Sequence, residues 1–211
     1  MTSRQRYLVG AALLLVVVMA LLVAPLTSML GPLRGYLAVF AIYWIGFCLP
    51  VALTFGRGPE TVSLTLSSPT RPWVPIVALG LPVAAAFGGG LFSLDTFPYP
   101  IVALALLAAA INGPMEELAW RRSFRANSGG RLSFELFGLV LFVLWHVPLL
   151  RSAGIAFEGG AVGLIGGAAA VGAIWMLMVR ATHSVGWAMV SHALLNAAVF
   201  VPHFVDNFAH G

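Results

Sequence analysis

Seven long runs of apolar residues alternate with short polar segments along this chain. The runs cover roughly residues 7–26, 36–55, 73–93, 98–120, 134–150, 160–179 and 185–205. Each run is close to the roughly 20 residues that an α-helix needs to cross the hydrocarbon core of a membrane. The pattern therefore predicts an all-α, polytopic transmembrane helix bundle of about seven spans. The third run contains Pro75, Pro82 and three consecutive glycines, so it is the span that can be broken or re-entrant.

The first run resembles a secretory signal peptide, because Arg4 and Arg6 precede a long apolar stretch. From Tyr7 to Leu26, however, it is longer than the core of a signal peptide, which has roughly 7–15 apolar residues. No convincing cleavage site of small residues follows it. We therefore expect a retained first span.

The composition narrows the class of protein further. Hydrophobic residues make up 60% of the chain and charged residues only 9%, whereas a soluble domain has about 25% charged residues. The net charge of +4 comes from eleven arginines without any lysine, which is too sparse for a nucleic-acid-binding surface. We expect a multi-pass protein with membrane lipid as its surroundings and no nucleic acid as its partner, located in the plasma (inner) membrane of a prokaryote.

The distribution of arginines predicts the orientation of the bundle. Cytoplasmic loops of membrane proteins carry an excess of basic residues. If the N-terminus lies inside, only Arg34 and Arg151 fall on the outer side. The inner side then holds Arg4, Arg6, Arg57, Arg71, Arg121, Arg122, Arg125, Arg131 and Arg180. This asymmetry favours an N-inside topology, with the C-terminus outside after seven spans.

Among the ionisable and amide side chains inside the predicted spans, five stand out: Glu116, Glu117, His146, His192 and Asn196. A charged side chain at mid-depth costs at least about 2.5 kcal/mol on insertion scales, so such residues are functional candidates by default. His192 and Asn196 are four residues apart and share one face of a helix.

The spacing of these residues around a turn predicts that they converge. Glu116 lies fifteen residues before Arg131 and His146 fifteen residues after it, at the reversal between the fourth and fifth spans. Equal distances from the turn of a helical hairpin give equal depths in the membrane. His192 follows a loop on the same inner side and can reach a comparable depth.

This arrangement suggests a division of labour between the two adjacent carboxylates. Arg121 follows Glu117 by four residues and can pair with it, which leaves Glu116 free to act with His146 as the base that activates a water molecule. His192 and Asn196 can donate hydrogen bonds to a developing oxyanion. Pro114 can either kink the fourth span or begin a new helical piece. In the second case both carboxylates lie in the first helical turn, where the helix dipole favours their ionised form.

These groups of residues resemble the signature motifs of the CPBP intramembrane proteases. This family includes the CAAX prenyl proteases and the bacteriocin-processing or abortive-infection-like membrane proteins. Its motifs Glu-Glu-x-x-x-Arg, Phe-x-x-x-His and His-x-x-x-Asn occur here in that order. They are matched by Glu116, Glu117 and Arg121, by Phe142 and His146, and by His192 and Asn196. The resemblance covers residues 98–205, which we predict to be the catalytic core, between motif-free spans in 1–97 and a tail in 206–211.

The resemblance implies a membrane-embedded endopeptidase for membrane-associated proteins or peptides, either prenylated or carrying a leader sequence. Glu116 and His146 would activate water, and His192 and Asn196 would stabilise the oxyanion. The chain departs from the family at Arg122, where glycine is usual. This bulky cation can narrow a close helix contact or extend its charge to the membrane interface.

Three alternatives stay open at this point. Glu116, His146 and His192 could together bind zinc with one open position, although the His-Glu-x-x-His signature is missing and we favour a mechanism without a cofactor. The same side chains could serve as a relay in a proton- or ion-coupled transporter. The fold could also carry a non-catalytic immunity or scaffold protein.

Overall fold

The computed structural model describes residues 1–66, 71–88, 91–93 and 98–209, and within these residues the chain is a bundle of seven helices. The helices are α1 (Ser3–Leu30), α2 (Pro32–Phe55), α3 (Trp73–Gly88), α4 (Tyr99–Ala126), α5 (Leu132–Arg151), α6 (Val162–Thr182) and α7 (Gly186–Phe208). A short 3₁₀ turn covers Leu91–Ser93. The described residues contain no strand, only an isolated bridge between Ser63 and Ser184. The predicted all-α class is confirmed.

Six of the seven helices are long and apolar enough to cross a membrane, and α3 is the exception among the described residues. It has 16 residues and contains Pro82, so the third apolar run forms a shorter helix than the other six runs, and whether it is broken or re-entrant stays a prediction. Residues 89 and 90 of that run lie outside the described residues, as do 210 and 211 of the tail. The chain is an integral, multi-pass membrane protein.

The helices of the first 97 residues share a hydrophobic core with the rest of the bundle. Along α1 a buried face recurs every three to four residues, at Leu8, Ala12, Leu15, Met19 and Val23, which is the spacing of one helix face. This face packs against α2 and α5. The motif-free N-terminal helices are therefore a structural part of the same bundle.

Two helices contain a π-helical turn next to a proline. In α2 the turn covers Trp44–Cys48, just before Pro50. In α4 the helix continues through Pro114 as far as Glu116, and a π-helical turn covers Glu117–Arg122. Because α4 is continuous, the alternative in which Pro114 begins a new helix is wrong, and the two carboxylates do not lie in a first helical turn. Such π-helical turns occur frequently at functional sites.

One end of the bundle is closed by a buried polar network. Arg125 contacts Glu60 and lies 3.2 Å from Glu135. Arg180 approaches the same Glu135 carboxylate at 2.7 Å. Gln5 donates to the carbonyl of Asn127 at 2.7 Å. These contacts bring α1, α4, α5, α6 and the α2–α3 loop together at the end of the bundle that carries most of the arginines.

Candidate active site

A cavity of about 580 Å³ is lined by residues of α2 to α7 and of the loop before α6. Four of the six predicted site residues line it: Glu116, His146, His192 and Asn196. The other two, Glu117 and Arg121, are buried behind the lining. The structure thus brings residues from three helices, far apart in sequence, to one cavity.

Gly113 permits the close approach of α4 and α7 at this cavity. A Cβ atom at Gly113 would lie 2.5 Å from the backbone nitrogen of Ala193 and 2.9 Å from the carbonyl carbon of His192. Real Cβ atoms do not come this close to a backbone, so only glycine fits here. Since Glu116 and Glu117 follow Gly113 by one turn, this contact sets both carboxylates beside His192.

The imidazole of His192 is placed between the two carboxylates. Its Nδ1 lies 2.9 Å from Oε1 of Glu117, and its Nε2 lies 3.4 Å from Oε2 of Glu116. A carboxylate can only accept, so the first contact is a charge-assisted hydrogen bond that the Nδ1–H of His192 donates. Glu117 therefore fixes the orientation of the ring, and Nε2 points towards Glu116 and the cavity.

Trp175 holds the His192 ring from its face. The two rings stack with their centroids 3.8 Å apart and their planes 22° from parallel. The indole nitrogen of Trp175 donates to the hydroxyl of Ser191 at 3.1 Å, which anchors the tryptophan on α7 itself. The imidazole is consequently held at Nδ1 by Glu117 and on one face by Trp175.

Arg121 balances the charge of Glu117 behind the cavity wall. Its Nη1 lies 3.4 Å from Glu117 Oε1, and its guanidinium lies 3.9 Å from the centre of the Phe142 ring, an arrangement that stabilises a cation. Gly172 of α6 makes room for it, since a Cβ there would lie 2.8 Å from Nη2. A small cavity of about 20 Å³ beside Arg121 has space for one water molecule.

His146 presents one nitrogen for chemistry. Its Nδ1 lies 2.8 Å from the backbone carbonyl of Phe142, and because a carbonyl only accepts, Nδ1 carries the hydrogen. The tautomer leaves Nε2 able to accept a proton. Trp145, the preceding residue, stacks on Tyr43 with ring centroids 3.9 Å apart, and this stack supports the end of α5 at the cavity.

The comparison with known protein families agrees with the three motifs. Residues 98–198 match the family model described as Type II CAAX prenyl endopeptidase Rce1-like. This segment, called the Rce1-like segment below, is similar to that family, and over these residues the resemblance to the CPBP intramembrane proteases is confirmed. No curated protein and no solved structure gives a match.

The donor atoms of the Rce1-like segment can be compared with those that a zinc ion needs. Within the described ranges, no group of three or more His, Cys, Asp or Glu side chains is close enough to share one metal ion. The Nδ1 atoms of His146 and His192 contact the Phe142 carbonyl and the Glu117 carboxylate. Contacts of this kind are typical of metal-binding histidines, and they leave Nε2 of each ring as the atom that could bind a metal.

Arg122, the residue that departs from the family motif, does not reach the cavity. Its Nε donates to the carbonyl of Val62 at 3.3 Å, and its Nη1 lies beside Gly56. Both contacts are with the loop between α2 and α3. The arginine therefore ties the Rce1-like segment to this loop at the arginine-rich end and leaves the geometry of Glu116 free.

Several residues that line or support the cavity are not motif positions, and the sequence did not indicate them as part of the site. The hydroxyl of Tyr43 accepts from Trp120 at 2.7 Å, and Trp44 donates to Asn112 at 2.8 Å. Asn112 lines the cavity one helical turn before Glu116. A buried amide in an apolar run was a signal for Asn112, whereas the aromatic residues of α2 gave none because they look like ordinary core.

Proposed function

We propose that the Rce1-like segment hydrolyses peptide bonds of membrane-associated proteins or peptides at the cavity wall. The observation that carries this proposal is the convergence of Glu116, His146, His192 and Asn196 on one cavity. Such a set combines a base, a second proton acceptor and two potential donors to an oxyanion.

In the proposed reaction Glu116 removes a proton from a water molecule as the oxygen attacks the scissile carbonyl carbon. The carbonyl becomes a tetrahedral oxyanion, which accepts hydrogen bonds from His192 Nε2–H and the Asn196 amide. When the C–N bond breaks, Glu116 returns the proton to the leaving amine. His146 assists by accepting a hydrogen bond from the same water through Nε2, since its Nδ1–H is engaged with Phe142.

The contacts of His192 support its role as an oxyanion donor. Its Nδ1–H donates to Glu117, and its Nε2 faces the cavity, where a hydrogen on that atom would donate to the oxyanion. Glu117 is a positioning residue in this scheme, which extends its role beyond the pairing with Arg121.

The choice of Glu116 as the base follows from what each carboxylate contacts. Glu117 is engaged by both His192 and Arg121. Each carboxylate has one oxygen without a hydrogen-bond partner in the described part of the chain, but Glu116 lines the cavity and Glu117 does not. A general base must be within reach of the water that it deprotonates, which favours Glu116.

The proposal also covers the substrate class, the cellular location and the metal dependence of the reaction. The substrate is a membrane-associated protein or peptide, prenylated or with a leader sequence, and the protein acts in the plasma membrane of a prokaryote. Zinc is the alternative to the metal-free mechanism. Cleavage that survives a strong zinc chelator agrees with the metal-free mechanism, and cleavage that is lost and then restored by zinc would overturn it.

A comparison of peptides in membranes and culture medium tests the proposed function. Cells expressing the native protein should contain cleavage products that are missing from cells expressing Glu116→Gln at the same level. Quantitative mass spectrometry identifies the products and the cleavage site. Identical peptide patterns in the two strains would contradict the proposal.

A further inference from the structure

The cavity is elongated and follows one face of α7 far beyond the candidate catalytic residues. The α7 residues that line it recur with helical spacing: His192, Leu195, Asn196, Val199, Phe200, His203, Asp206 and Asn207. From His192 to Asp206 the helix rises about 21 Å, at 1.5 Å per residue. The cavity therefore extends from the carboxylate pair to the C-terminal end of α7.

The far end of the cavity carries negative charge. Glu158 and Asp206 line it there, and both are exposed at the surface. The whole chain has only seven acidic residues and a net charge of +4, yet no arginine lines the cavity within the residues that the structure describes. A binding cleft with one sign of charge attracts ligands of the opposite sign.

Buried donors without partners lie along the wall of the same cavity. Trp145 is 1% exposed and Asn196 is 6% exposed, and neither Trp145 Nε1 nor Asn196 Nδ2 has a hydrogen-bond partner among the described residues. Buried donors normally have a partner. The backbone carbonyls of a bound peptide are acceptors of the right kind, so these atoms point to a polar ligand and not to a purely hydrocarbon one.

We propose that the cavity binds its substrate as an extended peptide segment, with the scissile bond beside Glu116 and a lysine or arginine side chain between Glu158 and Asp206. An extended chain advances about 3.3 Å per residue, so about 21 Å corresponds to about six residues between the scissile bond and the basic residue. This inference rests on the proposed function and adds to it a substrate class, a cationic peptide.

Asn207 supports the cavity mouth by holding the loop that carries Glu158. Its side chain accepts from the backbone nitrogen of Ala156 at 2.7 Å and donates to the carbonyl of the same residue at 3.0 Å. These two bonds fix the loop before α6 to the end of α7. Glu158 and Asp206 are therefore held at the same mouth of the cavity.

Peptide binding measured separately from cleavage tests the inference. The probe is a set of fluorescent apolar peptides with one lysine, or glutamine in its place, at successive positions on either side of a central bond. They bind to the Glu116→Gln variant in nanodiscs, where hydrolysis does not interfere. When lysine is about six residues from the central bond, we expect the lysine peptide to bind about fivefold more tightly than the matching glutamine peptide. At the other positions we expect equal affinities.

Two further variants assign this preference to the cavity mouth. In the Glu116→Gln background, Glu158→Gln with Asp206→Asn should reduce the affinity for the lysine peptide to that for the glutamine peptide. Glu158→Asp with Asp206→Glu keeps both charges and should keep the preference. No preference for lysine, or a preference that survives loss of both charges, would overturn the inference.

The proposed function fails in a different way. If the native protein cleaves none of the peptides that it binds, hydrolysis is wrong, while the binding preference for lysine still tests the cavity mouth. A long apolar ligand is the competing occupant. The inference would also be contradicted if a prenyl alcohol displaced the lysine and glutamine peptides equally and if the charge of the peptide had no effect on binding.

Discussion

Three side chains surround the imidazole of His192 at the cavity. Glu117 contacts one ring nitrogen, Glu116 lies near the other, and Trp175 stacks on the ring. A donor that stabilises an oxyanion must be oriented before the reaction begins, since reorientation during the reaction would cost free energy. The rigid surroundings of His192 meet that requirement.

Removing the charge of Glu117 should affect both stability and activity. In Glu117→Gln, Arg121 loses the only carboxylate that pairs with it in the described ranges. Removal of one partner from a buried ion pair costs about 3–5 kcal/mol. We therefore expect a clear drop in the thermal unfolding midpoint in detergent, together with at least about a tenfold loss of cleavage rate because His192 loses its orienting anion.

The double variant Glu117→Gln with Arg121→Gln separates these two effects. It removes both buried charges, so most of the lost stability should return. Activity should stay low, because His192 still faces a neutral amide. Recovery of activity together with stability would mean that Glu117 acts only on Arg121.

The ionisable residues of the site could be predicted from the sequence, but the contacts that orient their side chains could not. Glu116, His146, His192 and Asn196 could be singled out because charge and amide groups are costly within apolar runs, and their catalytic roles stay predictions. The contact between Glu117 and His192 could not be predicted. Helical spacing gives Arg121 as the partner of Glu117, but only the three-dimensional packing of α4 on α7 adds His192.

At the scale of elements, the contact between α4 and α7 determines the geometry of the site. Gly113 lies where the two helices come closest, next to His192. Small residues at helix contacts allow such close packing within membranes. The hydrogen bond of 2.9 Å between Glu117 and His192 depends on this approach.

A methyl group at Gly113 should separate the helices and reduce activity. Gly113→Ala places a Cβ 2.5 Å from the Ala193 nitrogen, and overpacking of this kind costs about 1–3 kcal/mol. We expect a moderately lower unfolding midpoint and a loss of cleavage larger than that destabilisation explains. Gly10→Ala is the matched control, because nothing lies within 4 Å of a Cβ there. Equal activities of the two variants would contradict this role of Gly113.

The helical elements could be predicted from apolar runs, and their irregularities could not. Run lengths gave seven helices and indicated the third as unusual, since hydropathy reports the length of a segment directly. The π-helical turn at Glu117–Arg122 could not be predicted, because a turn of this kind leaves no pattern in hydropathy. The choice between a kink and a new helix at Pro114 was open for the same reason.

At the scale of the whole molecule, the polar network and the cavity mouth lie at opposite ends of the bundle. Arg125, Glu60, Glu135 and Arg180 close one end, whereas the cavity reaches the C-terminal end of α7. The N-inside prediction would place the network on the cytoplasmic side. The cavity would then open towards the outer face.

Labelling of single cysteines tests this orientation. In a Cys48→Ala background, Ser3→Cys and Ala161→Cys place exposed thiols at the N-terminus and before α6. A membrane-impermeant maleimide added to intact cells should label Ala161→Cys, and Ser3→Cys only after permeabilisation. The reverse labelling pattern would show that the positive-inside argument fails for this protein.

Activation of water by the Glu116 carboxylate in peptide hydrolysis is tested most directly by the cleavage rate of the purified protein. The native protein and Glu116→Gln are reconstituted in the same lipid and compared on one substrate peptide, with equal unfolding midpoints as the control for folding. Loss of a general base slows a reaction about 10²- to 10⁴-fold, so we predict a decrease in that range. A Glu116→Gln variant that is folded and cleaves at the native rate would contradict the account.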